Sequence, residues 1–163
     1  MNNLIVVEAA MEIAHTRDFL QKIADKYGQS VARSVGMSNS VGGIGPLLKE
    51  RIPAQGKLGL NVIGVSLLYD NVWTQGVHQW GQIYIEKKKV GQYLRDTLED
   101  TGIKFDFELA DRTHCKVKVW KWMYANSPVY FLDAPEVANV VYPGPEDAPS
   151  DIADSHNWVE NQK

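Results

Sequence analysis

The sequence predicts an α/β domain with a mainly parallel central sheet and an inserted antiparallel β region. Two apolar runs, residues 4–7 and 61–69, have the composition of strands covered on both faces, and helical patterns separate them. That order favours parallel strands joined by helical crossovers. Further along, two runs alternate apolar and polar side chains, which is typical of antiparallel strands. The 163 residues fit one domain, which we place at residues 1–142.

The first strand is followed by a predicted helix over residues 16–34. Thr16 is a suitable N-terminal cap. Apolar side chains then recur at helical spacing, as expected of a helix that packs one face on a sheet. Gly28 is expected to weaken this helix without ending it.

A polar, glycine-rich turn is predicted over residues 38–45. A second helix should begin near Pro46, because proline is tolerated in a first helical turn. Pro53 is expected to bend or end that helix. Residues 61–69 then form the second buried strand.

The middle of the chain is predicted to form short polar and aromatic strands at residues 72–74 and 82–85. The lysine run 87–89 is expected to lie in a solvated turn. Residues 93–100 have the pattern of one or two helical turns.

An antiparallel hairpin is predicted from residues 103–109 and 116–123, joined across residues 110–114. Its second strand should place valines on one face and tryptophans on the other, because side chains alternate along a strand. In that second strand, Val117 and Val119 lie on one face, and Trp120 and Trp122 lie on the other. Residues 128–132 form a final apolar strand.

Composition excludes several classes of protein. The formal charge of −3 does not favour nonspecific binding of nucleic acid. The single cysteine, Cys115, excludes an internal disulfide framework and a cysteine-rich zinc site, and a reducing cytoplasmic compartment is expected. Residues 143–163 are predicted to be an extended, proline-rich acidic tail, in which Trp158 suggests docking onto another surface.

The sharpest local motif is the glycine turn, residues 40–45, which precedes a helix. Glycines allow a ligand to approach the backbone, and a helix N-terminus favours anions, so a phosphate or sugar phosphate is one interpretation. A plain tight turn that packs a helix on a sheet is the other, and the motif alone favours it. The turn is neither a Walker A motif nor a dinucleotide fingerprint.

A longer stretch of the chain resembles the α-glucan phosphorylases. That family has a Gly-Gly-Leu-Gly turn, a helix, an apolar strand that ends in Leu-Leu-Tyr, and later V-x-V-W and PVYLLD strands. Here the corresponding segments are residues 42–45, residues 67–69, VKVWKW and PVYFLDA, and Ala10-Met11-Glu12 is similar to the family's Ser-Met-Glu. The motifs occur in the same order over most of residues 4–134.

The resemblance implies a Rossmann-like N-terminal half of a GT-B glycosyltransferase, which transfers glucosyl units from α-1,4-glucan to phosphate. It implies that Gly42, Gly43 and Ile44 contact the substrate phosphate and sugar and that Glu12 lines the cleft nearby. His15 and Tyr69 are possible accessory residues. The family's pyridoxal phosphate and its lysine belong to the C-terminal half, so no cofactor is expected in this chain.

On this hypothesis the chain is inactive alone and assembles with a C-terminal glycosyltransferase half or with itself. Departures from the family pattern leave an alternative open, a non-catalytic sugar- or phosphate-binding or regulatory protein that kept the fold. The departures are the helical stretch after Glu12, the residues Pro46 to Lys49 after the glycine turn, and Asp70 in place of an arginine.

Histidine and tryptophan positions add two weaker hypotheses. No histidine pair has the spacing of metal ligands, so no metal site is expected. Glu12 and His15 are a candidate acid–base pair at a strand end. The tryptophans and Tyr84 suggest a surface for a partner subunit or for sugar rings, and we favour the partner.

Overall fold

The computed structural model describes residues 4–40 and 42–141, which form a five-stranded sheet, a two-stranded sheet and five helices. The predicted tail, residues 143–163, and Trp158 within it lie outside the described residues. In chain order the elements are β1 (Ile5–Ala9), α1 (Arg17–Tyr27), α2 (Gln29–Ser38), α3 (Ile44–Lys57), β2 (Asn61–Leu67), β3 (Asn71–Val77), β4 (Ile83–Lys89), α4 (Gly91–Arg95), β5 (Glu99–Glu108), β6 (His114–Tyr124), β7 (Ser127–Asp133) and α5 (Pro135–Val141).

Parallel strands form one end of the large sheet. Its order is β1-β2-β7-β6-β5, in which β1, β2 and β7 are parallel and β6 and β5 are antiparallel to their neighbours. The predicted α/β class and the helical connection between β1 and β2 are confirmed. The sheet is mixed rather than mainly parallel, because the β5–β6 hairpin extends it. The inserted antiparallel region is the separate β3–β4 hairpin.

The main core lies between helices α1 to α3 and one face of the large sheet. Ile13, Ile52 and Val129 are fully buried there. Phe19 of α1 packs edge-on against Trp122 of β6, with ring centroids 5.0 Å apart. Burial of each such side chain contributes about 2 kcal/mol. This packing fixes the segments that join β1 to the helices, where the candidate site lies.

Two helices occupy the stretch that was predicted to be one. Gly28 lies between α1 and α2 with φ 91°, and its N–H closes α1 by donating to the Ala24 carbonyl at 2.8 Å. A positive φ is strained for residues with a side chain, so glycine permits the break. The prediction that Gly28 only weakens the helix is therefore wrong. After this break, Ala32 and Val35 of α2 belong to the core.

Helix α3 is longer than predicted at both ends. It begins at Ile44, so Pro46 lies in the first turn, where an N–H has no intrahelical partner. It also continues for another turn past Pro53, so of the two predicted effects of this proline, a bend or an end, the end is wrong. Ile52 and Gly56 are buried around this proline, and their packing offsets the lost hydrogen bond.

The middle of the chain contains more strand than predicted. The strands β3 and β4 extend the segments expected at 72–74 and 82–85, and they pair from Asn71 opposite Lys89 to Val77 opposite Ile83. The lysine run 87–89 is therefore part of β4, and the solvated turn predicted for it is wrong. Helix α4 overlaps only the start of the helical segment predicted at 93–100, because Glu99 already belongs to β5.

The predicted hairpin before the last strand is confirmed as β5–β6, and the strand predicted at 128–132 is confirmed as β7. Both faces of β6 carry buried side chains, as the alternation predicted. Helix α5 contacts β6. The buried residues of β6 are Cys115, Val117 and Val119 on one face and Trp120 and Tyr124 on the other.

Candidate functional site

The predicted site residues lie where β1 and β2 reach the same edge of the sheet. Glu12 follows β1 closely, Tyr69 follows β2, and the glycine turn lies between α2 and α3. Because parallel strands end at one edge, segments that are distant in sequence meet there. The structure therefore brings Glu12 and Gly42 into contact although 30 residues separate them.

Glu12 binds the glycine turn directly. The Gly42 N–H donates to Glu12 Oε2 at 3.3 Å, and the Glu12 side chain is only 4% exposed. A Cβ atom on Gly42 would lie 3.4 Å from Glu12 Oε1. Since α3 begins two residues after Gly42, the carboxylate also lies at the N-terminal end of that helix, where negative charge is stabilised. Glu12 thus occupies part of the position in which an external anion was predicted.

The other residues of the turn differ in what surrounds them. Gly43 has ordinary helical backbone angles and open space where a side chain would be. Ile44 begins α3 and is half exposed. Gly45 is buried, and a Cβ there would collide with the Asn39 carbonyl oxygen. The turn therefore offers Gly43 and Ile44 to a ligand, whereas Gly45 is needed for close packing.

A buried hydrogen-bond network fixes the strand ends beneath the turn. Asn39 is fully buried and donates through Nδ2 to the Leu67 carbonyl at 3.0 Å. The hydroxyls of Ser66 and Tyr69 both donate to the Met11 carbonyl, at 3.2 and 2.9 Å. These bonds join the ends of α2, β1 and β2. Because Met11 directly precedes Glu12, the network holds the backbone that carries the Glu12 carboxylate.

His15 is part of the same buried layer. Its Nε2 lies 3.3 Å from Ser38 Oγ, and its ring stacks on Phe19 with centroids 4.9 Å apart. Burial lowers the pKa of His15 from 6.5 to about 4, against a smaller opposing effect of its hydrogen bond with Asn39. His15 is therefore neutral at pH 7. The Ser38 hydroxyl donates to the Val35 carbonyl at 2.8 Å, so the His15 tautomer with a proton on Nε2 satisfies both groups.

Sequence reasoning missed an ionic cluster at the same edge of the sheet. Arg95 of α4 donates to both carboxylate oxygens of Asp133 at 2.7 Å and forms an ion pair with Asp70 at 2.7 Å. The Trp120 indole N–H also donates to Asp133, at 3.1 Å. The carboxylates hold the pKa of Arg95 above its ordinary value. A sequence signal existed, since Asp133 ends β7 and Asp70 follows β2, and two carboxylates brought to one edge of a sheet are stabilised by a cation between them.

The predicted aromatic group is divided between two places. Trp120 and Trp122 belong to the core of the large sheet. Trp80 lies in the turn of the β3–β4 hairpin and is 82% exposed, and Tyr84 of that hairpin packs on His78. The remaining hairpin tryptophan is Trp73, which has Lys87 over its ring.

A groove of about 590 Å³ lies away from these residues, between α1 and the start of β5 and the end of β6. Lys22 and Trp122 line it, with the Lys22 ammonium 5.1 Å from the indole ring centroid. None of the predicted site residues lines this groove. Its position does not support a ligand at the glycine turn.

Within residues 4–40 and 42–141, no group of three His, Cys, Asp or Glu side chains is placed to hold a metal ion. His114 is exposed and Cys115 is buried, so these neighbours point to opposite sides of β6. None of the helices in the described ranges combines the length and the apolar character needed to cross a membrane. No protein-family model matches the chain, and no curated protein matches it significantly.

Proposed function

We propose that this chain forms one half of the cleft of a glycosyl-transfer enzyme of the α-glucan phosphorylase type, with a GT-B-like fold. The observation that carries the proposal is the contact between Glu12 and the glycine turn at the edge where β1 and β2 end. The family resemblance assigns substrate contacts to the same residues. Ligands of open α/β sheets bind at this edge, which also supports the assignment.

The exposed backbone at Gly43 and Ile44 would bind the ligand. These residues begin α3, where N–H groups lack intrahelical partners and are free to donate to an oxygen. Glu12 would accept a hydrogen bond from a sugar hydroxyl. Gly42 has a different role, because its N–H already donates to Glu12 and so orients the carboxylate.

The charge of Glu12 favours a neutral sugar hydroxyl over free phosphate next to Gly42. A phosphate about 4 Å from the carboxylate would be repelled by roughly 1 kcal/mol per pair of unit charges in water and by more in a closed cleft. A hydroxyl can instead donate to the carboxylate and accept from the turn. The phosphate of the reaction would then lie nearer Gly43 and Ile44.

His15 and Tyr69 act as positioning residues in this proposal. The Tyr69 hydroxyl donates to the Met11 carbonyl, and Tyr69 is only 4% exposed, so it acts through the backbone next to Glu12. Because the pKa of His15 is lowered to about 4, it is unsuited to act as a general base near pH 7. The predicted Glu12–His15 acid–base pair is therefore not part of the proposal.

The proposed reaction requires a second domain that supplies the other wall of the cleft. The pyridoxal phosphate and its lysine belong to that domain. An apolar surface that another copy or polypeptide could cover is present at β1, where Ile5 and Val7 are 51% and 57% exposed. The single thiol, Cys115, suits the reducing cytoplasm.

The alternative is a sugar- or phosphate-binding regulatory protein that does not catalyse transfer. One observation favours it, since Glu12 occupies the Gly42 N–H that the resemblance assigns to the substrate. A site satisfied by its own carboxylate can hold the fold together without chemistry. Both functions require a ligand at Gly43 and Ile44.

Titrations followed by amide chemical shifts test this requirement. The chain is titrated separately with inorganic phosphate, glucose 1-phosphate and maltoheptaose. We expect maltoheptaose or glucose 1-phosphate to shift the amides of Gly43 and Ile44. Shifts with phosphate alone would favour the regulatory alternative, and no shift with any of the three would contradict ligand binding by this chain.

A matched pair of variants locates the binding site. Gly43→Val places a branched side chain in open space at the turn, where nothing in the protein is displaced. Leu47→Val makes a small change one turn later on the exposed side of α3. Gly43→Val should abolish the shifts and Leu47→Val should keep them, with unchanged folding of both. Equal shifts in the two variants would place the ligand elsewhere.

A further inference from the structure

Strand β1 leaves one edge of the large sheet open. It comes first in the order β1-β2-β7-β6-β5, so among the described strands it pairs with β2 alone. The Ala10 N–H donates to the Val65 carbonyl of β2 at 3.0 Å. Because backbone groups point to alternate sides along a strand, the N–H and C=O groups of Ile5, Val7 and Ala9 point away from β2. The open edge therefore presents donors and acceptors in the pattern that a further strand requires.

The two edges of this sheet are built differently. At the other edge, β5 has a register shift between Asp100 and Lys104, contains Gly102 at φ 72°, and then alternates charged with aromatic residues. Irregularities and charges of this kind keep a further strand from pairing. In contrast, β1 pairs with β2 in unbroken register and contains neither lysine nor proline. The protein thus protects one edge of the sheet and leaves the other suited to pairing.

The side chains at the open edge are apolar. Ile5 and Val7 are more than half exposed, and Ala9 follows on the same face, because side chains alternate along a strand. Exposed apolar side chains continue beyond both ends of β1, at Leu4 and Met11. A contiguous row of this kind marks an interaction surface.

The one charged residue of β1, Glu8, does not oppose pairing at this edge. Its carboxylate forms an ion pair with Arg51 at 3.1 Å and accepts a hydrogen bond from Gln55 at 2.9 Å, both from α3. The Glu8 side chain is only 15% exposed. An approaching strand therefore meets a neutralised carboxylate on one face of β1 and apolar side chains on the other.

We propose that β1 pairs with β1 of a second copy of this chain, antiparallel and centred on Val7, so that the two large sheets form one continuous sheet. A two-fold axis at Val7 sets Ile5 opposite Ala9 of the second copy, a large side chain beside a small one, and lets the outward backbone groups of the two strands bond to each other. The same axis brings the exposed Leu4 of each copy toward Met11 of the other. A second copy of the chain supplies each of these matches.

The charges at the edge also match in this arrangement. Glu8 lies opposite Val6 of the second copy, so the two Glu8 residues are diagonal neighbours, a separation that long side chains can bridge. Arg51 is 53% exposed beside its own Glu8, and the axis places it near the second carboxylate as well. The inference does not rest on the proposed glycosyl-transfer function, because a monomeric chain would leave the ligand titrations unaffected.

Sedimentation equilibrium of the full chain, from micromolar to millimolar protein, tests the proposal. We expect the average mass to rise with concentration from one chain to two and no further, because pairing about a two-fold axis closes on itself. In a mixture of isotope-labelled and unlabelled chain, NMR contacts between copies should join Ile5 to Ala9, which reports the antiparallel register.

The two edges of the sheet provide a matched pair of variants. Val7→Lys places like charges opposite each other at the proposed axis and should keep the chain monomeric. Ile103→Lys makes the same kind of change at an equally exposed β-branched residue of β5 and should leave the dimer intact. Spectra of both variants at low concentration check that the fold is kept.

Hydrogen exchange of the wild type tests the same edge without a variant. The Val7 N–H points away from β2, so it should be protected from exchange in concentrated protein and lose that protection on dilution. The Glu8 N–H points toward β2 and should stay protected at both concentrations. This comparison decides the proposal even where Val7→Lys does not fold.

Three results would overturn the proposal. One is a mass that stays at one chain up to millimolar protein, as expected if another part of the chain or another polypeptide covers the edge. Another is equal weakening of the dimer by Val7→Lys and Ile103→Lys. The third is a dimer, or a larger assembly, without contacts between Ile5 and Ala9 of different copies, since a different surface would then join the chains.

Discussion

At the scale of single residues, burial decides what His15 can do. The ring lies between Phe19 and Phe131 and is 4% exposed, so protonation would place a charge in an apolar layer. Its neighbours Ser38 and Asn39 satisfy the neutral ring by hydrogen bonds. A histidine near a carboxylate suggested acid–base chemistry from the sequence, but its surroundings favour a structural role below the glycine turn.

We predict that His15 makes the folded protein less stable in acid. The pKa of His15 is about 4 when folded and near 6.5 when unfolded, so the unfolded chain binds more protons between these values. The contribution of neutral His15 is fully present above pH 6.5 and is lost as the pH falls toward 4. The total loss is on the order of 3 kcal/mol. Chemical denaturation at several pH values measures it.

The variant His15→Phe isolates this effect from the titration of carboxylates. Phenylalanine keeps the stacking on Phe19 and cannot be protonated. The free energy of unfolding of the variant should therefore fall less than that of the wild type between pH 6.5 and 4. Parallel pH profiles of the two proteins would contradict the assignment of the acid sensitivity to His15.

At the scale of elements, the sequence predicted strands better than helix ends. The apolar runs at 4–7, 61–69 and 128–132 all overlap strands. The prediction that the first run is covered on both faces is wrong, because β1 is an edge strand in which Ile5 and Val7 are 51% and 57% exposed. The break at Gly28 depends on one backbone angle, which helical periodicity does not report. The extension past Pro53 depends on packing of the last turn against the sheet.

The candidate site was predictable in part for the same reason. The glycine turn and Glu12 were identified because strand ends and glycines are visible in the sequence. The contact between them was suggested only by the family resemblance. The role of Gly42 as donor to Glu12 and the burial of Asn39 depend on contacts between distant segments. The Arg95 cluster was missed because its partners are 25 and 38 residues away.

We predict that Arg95 is the most important charged side chain in joining α4 to the ends of β2 and β7. Arg95→Gln leaves the carboxylates of Asp70 and Asp133 without their cation, and Asp133 is only 12% exposed. The expected loss of unfolding free energy is about 2 kcal/mol, below that of a fully buried pair because Arg95 is 29% exposed. Urea denaturation at pH 7 measures this change.

Lys121→Gln is the matched control at an exposed ion pair. Lys121 pairs with Glu99 at 2.7 Å, but the Glu99 side chain is 59% exposed, so loss of this pair should destabilise the fold much less than loss of Arg95. Equal destabilisation by Arg95→Gln and Lys121→Gln would contradict the role given to the cluster.

At the scale of the whole molecule, the two sheets differ in how they are supported. The strands β2 and β7 have neighbours on both sides and bury Val62 and Val129 under the helices. The β3–β4 hairpin has two strands and contacts α2 through β3, and among its described side chains Val72, near its base, belongs to the core. An isolated two-stranded hairpin is marginally stable in water. Its far end, where Val77 and Ile83 are 66% and 64% exposed, is therefore expected to be less stable than the large sheet.

We predict that the far end of the hairpin opens without unfolding of the large sheet. Cross-strand amides near Val77 and Ile83 should exchange with deuterium much faster than those of Val62 and Val129, whose exchange requires global unfolding. Hydrogen exchange followed by NMR at neutral pH measures both groups in one sample. Equal protection of the hairpin and of β2 and β7 in the wild type would mean that the two sheets unfold as one unit.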